Sequence, residues 1–203
     1  MRGVVLAGGN ASRFSGKPKG LEQVGGTRIL DRVIRAVKEA TGDAPLLVAN
    51  AEDASEWRPD LKVMRDAIRG CGSLGGIYTA VSAGEGHALV VAWDMPFVSA
   101  DLLKALVNRS GSFDAVLPER RIDDEVSLEP LCAVYGPNCL APIRSQLVKE
   151  DFRVQGFLGA VKAGKIPCDS VQAFGDPATL FFNVNTPDDL KRAEELWRDQ
   201  YQR

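Results

Sequence analysis

The chain carries a single histidine, His87, which removes most imidazole-based zinc sites and makes a histidine base an unpromising route to catalysis. Its four cysteines, Cys71, Cys132, Cys139 and Cys168, are scattered with no C-x-x-C pair, so reduced thiols without a chemical role are the expectation. Long apolar runs are missing too. Stretches such as "ALVVAW" (Ala88–Trp93) fall far short of the roughly 20 residues that a bilayer crossing needs. The opening "MRGVVLAGG" is too short in its apolar part for a signal-peptide core, so a cytoplasmic protein is expected. Nor is there a basic excess. A formal charge of −2 argues against broad nucleic-acid binding, which needs a strongly basic face, while leaving room for a local basic pocket. Neither nucleic acid nor membrane is an expected partner.

What is present suits one globular domain: 203 residues, 45% hydrophobic and 26% charged. Short apolar runs alternate with helical patterns. "RGVVLA" (Arg2–Ala7), "PLLVAN" (Pro45–Asn50), "LKVMR" (Leu61–Arg65), "ALVVAW" and "DAVLPE" read as strands. "RILDRVIRAVKEA" (Arg28–Ala40), "LGGIYTAVSAG" and "SADLLKALVNRS" lie between them with helical spacing, and Ser99 is placed to cap the last. Strands apolar on both sides, separated by helices, predict a parallel sheet covered on both faces. Later the pattern changes. "LEPLCAVYG" (Leu128–Gly136) reads as an edge or antiparallel strand, Ile143–Val148 and Val154–Val161 as helical, and "TPDDLKRAEELWRDQ" as a capped amphipathic helix. The expected fold is a single-domain, Rossmann-like three-layer αβα arrangement, mostly parallel with an antiparallel edge strand.

Ligands of such sheets sit at the carboxyl ends of the strands, which directs attention to Gly8, Gly9, Asn50, Asp66 and Asp94. "LAGGNASRFSGKPKG" follows the first strand. Its glycines let backbone N–H groups approach phosphate oxygens, while Arg13, Lys17 and Lys19 supply positive charge. A solvated turn is the competing reading, and the stretch is no Walker A loop, because Pro18 follows Lys17 where Ser or Thr is required. "GCGSLG" (Gly70–Gly75) matches G-x-G-x-x-G, but it begins well after its strand ends, a poor context for a dinucleotide fingerprint. In "AWDMPF", Asp94 ends a strand, either as a cap for the next turn or as an oxygen ligand for Mg²⁺. Asp66 has the same placement. In "NVNTPDDL", Thr186, Pro187 and Asp189 form a helix start, leaving Asn183 and Asn185 free for contacts in a cleft. Asp123 and Asp124, with Glu119 and Glu125, read as a solvated charge run, and the three tryptophans as packing residues.

In this order, "LAGGNASR", "KPKGL", "GGTRIL", "GSLGGI", "DMPF", "EPLCAVY" and "NVNTPDDL" resemble the molybdenum cofactor guanylyltransferases, over almost the whole chain. The resemblance implies transfer of GMP from GTP to the terminal phosphate of molybdenum-molybdopterin, with Mg²⁺, giving the guanine dinucleotide cofactor and pyrophosphate. It implies that Leu6, Ala7, Gly8 and Gly9 cradle the nucleotide and that Lys19, with Arg13, holds the triphosphate. Asn50 and Asp66 would contact the nucleoside, and Asp94 the metal. Asn183 and Asn185 would face the pterin side, with the amino-terminal part binding GTP and the carboxy-terminal part contributing to the molybdopterin site. Docking with other cofactor-assembly proteins is a further implication. The chain departs from the family pattern at Ser15 and Ser73, each standing where the family has a different residue. The chemistry agrees with a chain poor in histidine: an attacking phosphate monoester is already anionic and needs no base, so positioning and charge neutralisation suffice. Guanine offers N–H donors that Asp66 could accept, whereas cytosine presents mainly acceptors. Rival readings are a cytidylyltransferase acting on the same cofactor, another small-molecule nucleotidyltransferase, and a nucleotide-binding regulatory domain without turnover.

Overall fold

The computed structural model describes residues 1–8, 18–122 and 125–201. The loop residues Gly9 and Arg13, with Lys17 and the Asp123–Asp124 pair, lie outside these. Among the described residues the chain runs β1 (Arg2–Leu6), β2 (Gln23–Val24), β3 (Thr27–Arg28), α1 (Ile29–Thr41), β4 (Leu46–Val48), α2 (Ala54–Trp57) and β5 (Val63–Met64). It continues with α3 (Gly72–Ser82), β6 (Ala88–Ala92), α4 (Ala100–Arg109), β7 (Ala115–Ile122), β8 (Glu125–Leu128), β9 (Cys132–Tyr135) and α5 (Leu140–Val148). Last come β10 (Ala163–Ile166), α6 (Cys168–Val171), α7 (Pro177–Leu180) and α8 (Pro187–Tyr201).

The main sheet has the order β10-β7-β9-β6-β1-β4-β5, with β8 pairing only with β7. Neighbours β1, β4, β5 and β6 run parallel, as do β7 and β10. β9 runs antiparallel to both β6 and β7. The antiparallel strand expected at an edge therefore sits inside the sheet. Its burial explains why: Cys132 to Tyr135 are all fully enclosed, and a strand buried on both faces cannot be told from a parallel one by composition. The Val154–Val161 helix is also corrected. That segment is a series of turns ending in a 3-10 turn at Leu158–Ala160, its backbone bonds closing over three residues.

Alternation along the strands divides the core into two layers. Val5, Leu47, Leu89, Val91 and Val134 face α1 and α4, while Val4, Leu46, Val90, Ala133 and Tyr135 face α3 and α5. Burying a Leu or Val in these layers contributes about 1.5–3 kcal/mol each. A third, smaller cluster joins Val24, Ile29, Phe97, Val184 and Ala193, and so fastens α8 onto the β2–β3 hairpin. Glu194 reinforces it by accepting from the backbone N–H of Gly25 at 3.0 Å. The start of α8 is a reciprocal cap: Asp189 N–H donates to the Thr186 hydroxyl at 3.1 Å, and the Asp189 carboxylate accepts from Thr186 N–H at 2.8 Å.

Candidate active site

Among the described residues, the carboxyl ends of the parallel strands gather Lys19, Asp66 and Asp94, three of the charged residues singled out from the sequence. β1 ends at Leu6, and the ladder continues one step: Ala7 N–H donates to Val48 C=O, and Trp93 N–H donates to Leu6 C=O. Gly8 follows, exposed, and a Cβ built on it would meet open space. Beside this strand end lies Asp94, 8% exposed. Lys19 reaches it from a 3-10 turn, Lys19–Leu21, with Nζ 2.5 Å from Asp94 Oδ2 and 2.6 Å from Asn185 Oδ1. Local packing fixes this lysine. Gly20 lies flat against the Trp93 ring, where a Cβ would run into the indole, and Trp93 in turn stacks on Trp57 at 5.1 Å between ring centroids. Asn185 is held from the opposite side, because Val184 N–H donates to the backbone carbonyl of Asp94 itself and Asn185 N–H donates to Asp189.

Lys19 takes only one carboxylate oxygen of Asp94. The other, Oδ1, is buried with no hydrogen-bond partner among the described residues. A buried carboxylate oxygen left bare costs roughly 1–3 kcal/mol or more, so the arrangement suits a cation that the described residues do not supply. Hard divalent ions bound with nucleoside triphosphates take one or two carboxylates and leave the remaining positions to water and phosphate. Asp94 fits that donor set. No cluster of three metal-ligating side chains occurs among the described residues.

Two strands along, Asn50 and Asp66 form a second polar pair. Asn50 donates its amide to Asp66 Oδ2 at 2.6 Å and accepts from Asp66 N–H at 3.0 Å. The turn after Asp66 is anchored by the buried Thr79 hydroxyl, which accepts from Ala67 N–H at 2.9 Å. Gly76 lets α3 pack close to this corner: a Cβ there would stand 3.2 Å from Leu6 and 3.8 Å from Asp66 Oδ1. The G-x-G-x-x-G match thus serves as the turn into α3, with Gly70 and Gly72 at φ of 80° and 55°.

Of the residues expected to act, Lys19, Asp94 and Asn185 come into direct contact, and Leu6, Ala7 and Gly8 adjoin them. Asn50 and Asp66 contact each other at the neighbouring strand ends. Asn183 instead donates its amide to Phe181 C=O at 2.9 Å, tying its own segment. Two charged residues to which the sequence reading gave no role also arrive at this edge. Glu129, 4% exposed, makes an ion pair with Arg120 at 3.0 Å and accepts from Leu131 N–H at 3.3 Å. Burial pushes its carboxyl above the ordinary value, the nearby Asp94 charge adds to that, and Arg120 pulls the other way. The available signal was a glutamate embedded in the otherwise apolar "LEPLCAVY".

Residues 3–164 match the family model described as the MobA-like NTP transferase domain. A protein of Pelotomaculum thermopropionicum named "Probable molybdenum cofactor guanylyltransferase" is 34% identical, over 96% of this chain and 92% of its own length. The "Molybdenum cofactor guanylyltransferase" of Desulfosudis oleivorans is 30% identical, over 95% of this chain and 93% of its own. Among solved structures, the molybdopterin-guanine dinucleotide biosynthesis protein A of Archaeoglobus fulgidus superposes with a TM-score of 0.80 at 27% identity, covering 98% of this chain and all of that one. The chain belongs to the MobA-like NTP transferase family.

Proposed function

We propose that the protein transfers GMP from GTP to the terminal phosphate of molybdenum-molybdopterin. An oxygen of the acceptor phosphate attacks the α-phosphorus of GTP, the α–β bridge breaks, and pyrophosphate leaves with the bonding pair. The product is the guanine dinucleotide form of the cofactor. What carries this reading most directly is the Lys19–Asp94–Asn185 cluster with its bare Asp94 oxygen, found in a chain that is a nucleotidyltransferase by family.

In this reading Leu6, Ala7, Gly8 and Gly9 present backbone to the nucleotide, and Lys19 with Arg13 neutralises the triphosphate. Asp94, with its bare carboxylate oxygen, would hold a divalent metal, for which Mg²⁺ is proposed. When bound, the metal would withdraw charge from the phosphate oxygens. Asn50 orients Asp66, whose carboxylate accepts from the N–H edge of guanine. Asn185 steadies Lys19, and with Asn183 marks the pterin side, so that the amino-terminal part serves GTP and the carboxy-terminal part the acceptor within one domain. No helix among the described residues is long and apolar enough to cross a membrane. A cytoplasmic place, with delivery through other cofactor-assembly proteins, belongs to the same proposal.

Pyrophosphate release, measured with each of the four nucleoside triphosphates and with molybdopterin present or absent, tests the reaction. Release from GTP that depends on molybdopterin is expected. Release from CTP instead would assign a cytidylyltransferase, and silence with all four would leave a regulatory nucleotide-binding domain.

A further inference from the structure

The strand order makes the site two-sided. Reading across the carboxyl edge, Asp66 and Asn50 follow β5 and β4, and the Leu6–Gly8 strand end and Asp94 come next. Glu129 and Arg120 then stand over β9 and β7. The β6–β9 register pairs Val91 with Cys132, and Ala92 N–H continues it by donating to Leu131 C=O at 2.8 Å. Counting on in the same sense brings Glu129 level with Asp94. β7 runs parallel to β6, so its outer end reaches the same edge, and Glu129 N–H donates to Pro118 C=O at 2.9 Å. Arg120 is therefore at the metal-binding level of the sheet, on the side away from Asn50 and Asp66.

Its guanidinium is held. Nη1 lies 3.0 Å from the buried Glu129 carboxylate, and Nε donates to the Ser127 hydroxyl at 3.3 Å. Nη2 has no hydrogen-bond acceptor among the described residues. The Arg120 side chain is 31% exposed where that of Glu129 is 6%. A buried acid thus holds a partly exposed cation. Lys19, by contrast, is a compact ammonium with two of its three N–H donors taken by Asp94 and Asn185.

An in-line displacement needs the attacking group opposite the leaving pyrophosphate, and the attacker here is an anion approaching another anion. With the nucleoside over β4 and β5, the acceptor has the β9–β7 side left to it. A guanidinium fixed by a carboxylate is well matched to a phosphate monoester, because its planar donors pair with two oxygens at once. We infer that Arg120 binds the phosphate monoester of the acceptor substrate, and that Glu129 is the positioning residue that orients it. This inference rests on the proposed transfer reaction.

The test is steady-state kinetics of the full chain with GTP and molybdopterin each varied, for wild type, Arg120→Met, Arg120→Lys, Glu129→Gln and Glu129→Asp. Equilibrium binding of molybdopterin without GTP is measured alongside. Arg120→Met should raise the KM and the dissociation constant for molybdopterin by about tenfold to a hundredfold, leaving the KM for GTP within about twofold. Arg120→Lys, which keeps the charge and loses the fork, should fall between. Glu129→Gln should weaken molybdopterin in the same selective way, and Glu129→Asp should recover part of it. A wild type that transfers GMP while Arg120→Met and Arg120→Lys leave the molybdopterin terms unchanged overturns the inference alone. Equal losses for GTP and molybdopterin overturn it too, by marking the pair as structural. Absence of transfer by the wild type overturns the reaction itself, and this inference falls with it.

Discussion

The two halves of the carboxyl edge are built differently. Over β4 and β5 the polar residues are open: Asn50 is exposed, Asp66 is half-buried, and each satisfies the other. Over β6 and β9 the charges are enclosed, with Asp94 at 8% and Glu129 at 4% exposure, each tied to one cation. Enclosed charges are costly to bury and more effective once buried, because water no longer screens them. The open half is suited to discrimination by hydrogen bonding, the enclosed half to stabilising charge where phosphates meet. The proposed function accordingly places base recognition on the open side and chemistry on the enclosed one.

The most severe way to break the enclosed half is to remove Asp94. Asp94→Ala takes away the bare oxygen and leaves the Lys19 ammonium partly buried without its counter-charge. Metal-dependent pyrophosphate release should fall by at least about a thousandfold, while the circular dichroism spectrum stays that of the folded protein. Retention of near-normal turnover would remove Asp94 from the metal site. Lys19→Ala should weaken GTP binding by about tenfold to a hundredfold, read by titration calorimetry, since it deletes the cation that meets Asp94 and Asn185. Gly20→Ala attacks the same lysine indirectly. The added methyl meets the Trp93 ring, so a loss of about 1–3 kcal/mol in stability and a shift in tryptophan emission should accompany weaker GTP binding. On the open half the expected effect is smaller and of another kind. Asp66→Asn should leave turnover largely intact while eroding the preference for GTP over the other triphosphates by about tenfold, because an amide offers a donor where guanine also donates.

These contrasts show where the sequence was readable. Gly8, Asn50, Asp66 and Asp94 stand at or just after strand ends, and a strand end in an α/β sheet is a local feature that apolar runs and the polar residues closing them reveal. The cap of α8 was legible for the same reason, since Thr186 and Asp189 lie three residues apart. Arg120 and Glu129 were not. Their pairing depends on β9 entering the sheet interior antiparallel between β6 and β7, a long-range choice that leaves no periodic trace in a strand buried on both faces. Glu119, read as part of a solvated run, illustrates the limit from another direction: it meets Lys165 of β10 at 3.5 Å, a partner 46 positions away. Val154–Val161 carried apolar residues at helical spacing, yet its turns are shaped by contacts outside itself. Phe157 packs on Tyr135, and Gly156 lies against Gln146.

The mildest perturbation falls on an ion network at the surface, and it tests whether charge there carries the weight that it carries around Asp94. Asp31 on α1 meets Arg28 at 2.7 Å and Arg58 at 2.9 Å, with its side chain 26% exposed. Partial burial alone would raise its carboxyl, but the two guanidinium groups outweigh that and hold it below the ordinary 3.8. A depressed folded value means that the unfolded chain binds the proton more readily. The stabilisation is therefore present above about pH 3.8 and is lost as pH falls through the lower folded value. Asp31→Asn should cost about 0.5–1 kcal/mol at neutral pH, discounted because solvent screens both arginine contacts. The gap between variant and wild type in denaturant melts should then close as the solution is taken below pH 3.8, and at neutral pH the two should turn over GTP equally. A gap that persists at low pH would mean that Asp31 acts through hydrogen-bond geometry rather than charge, and a loss of turnover would extend the electrostatic demands of the site well beyond the strand ends.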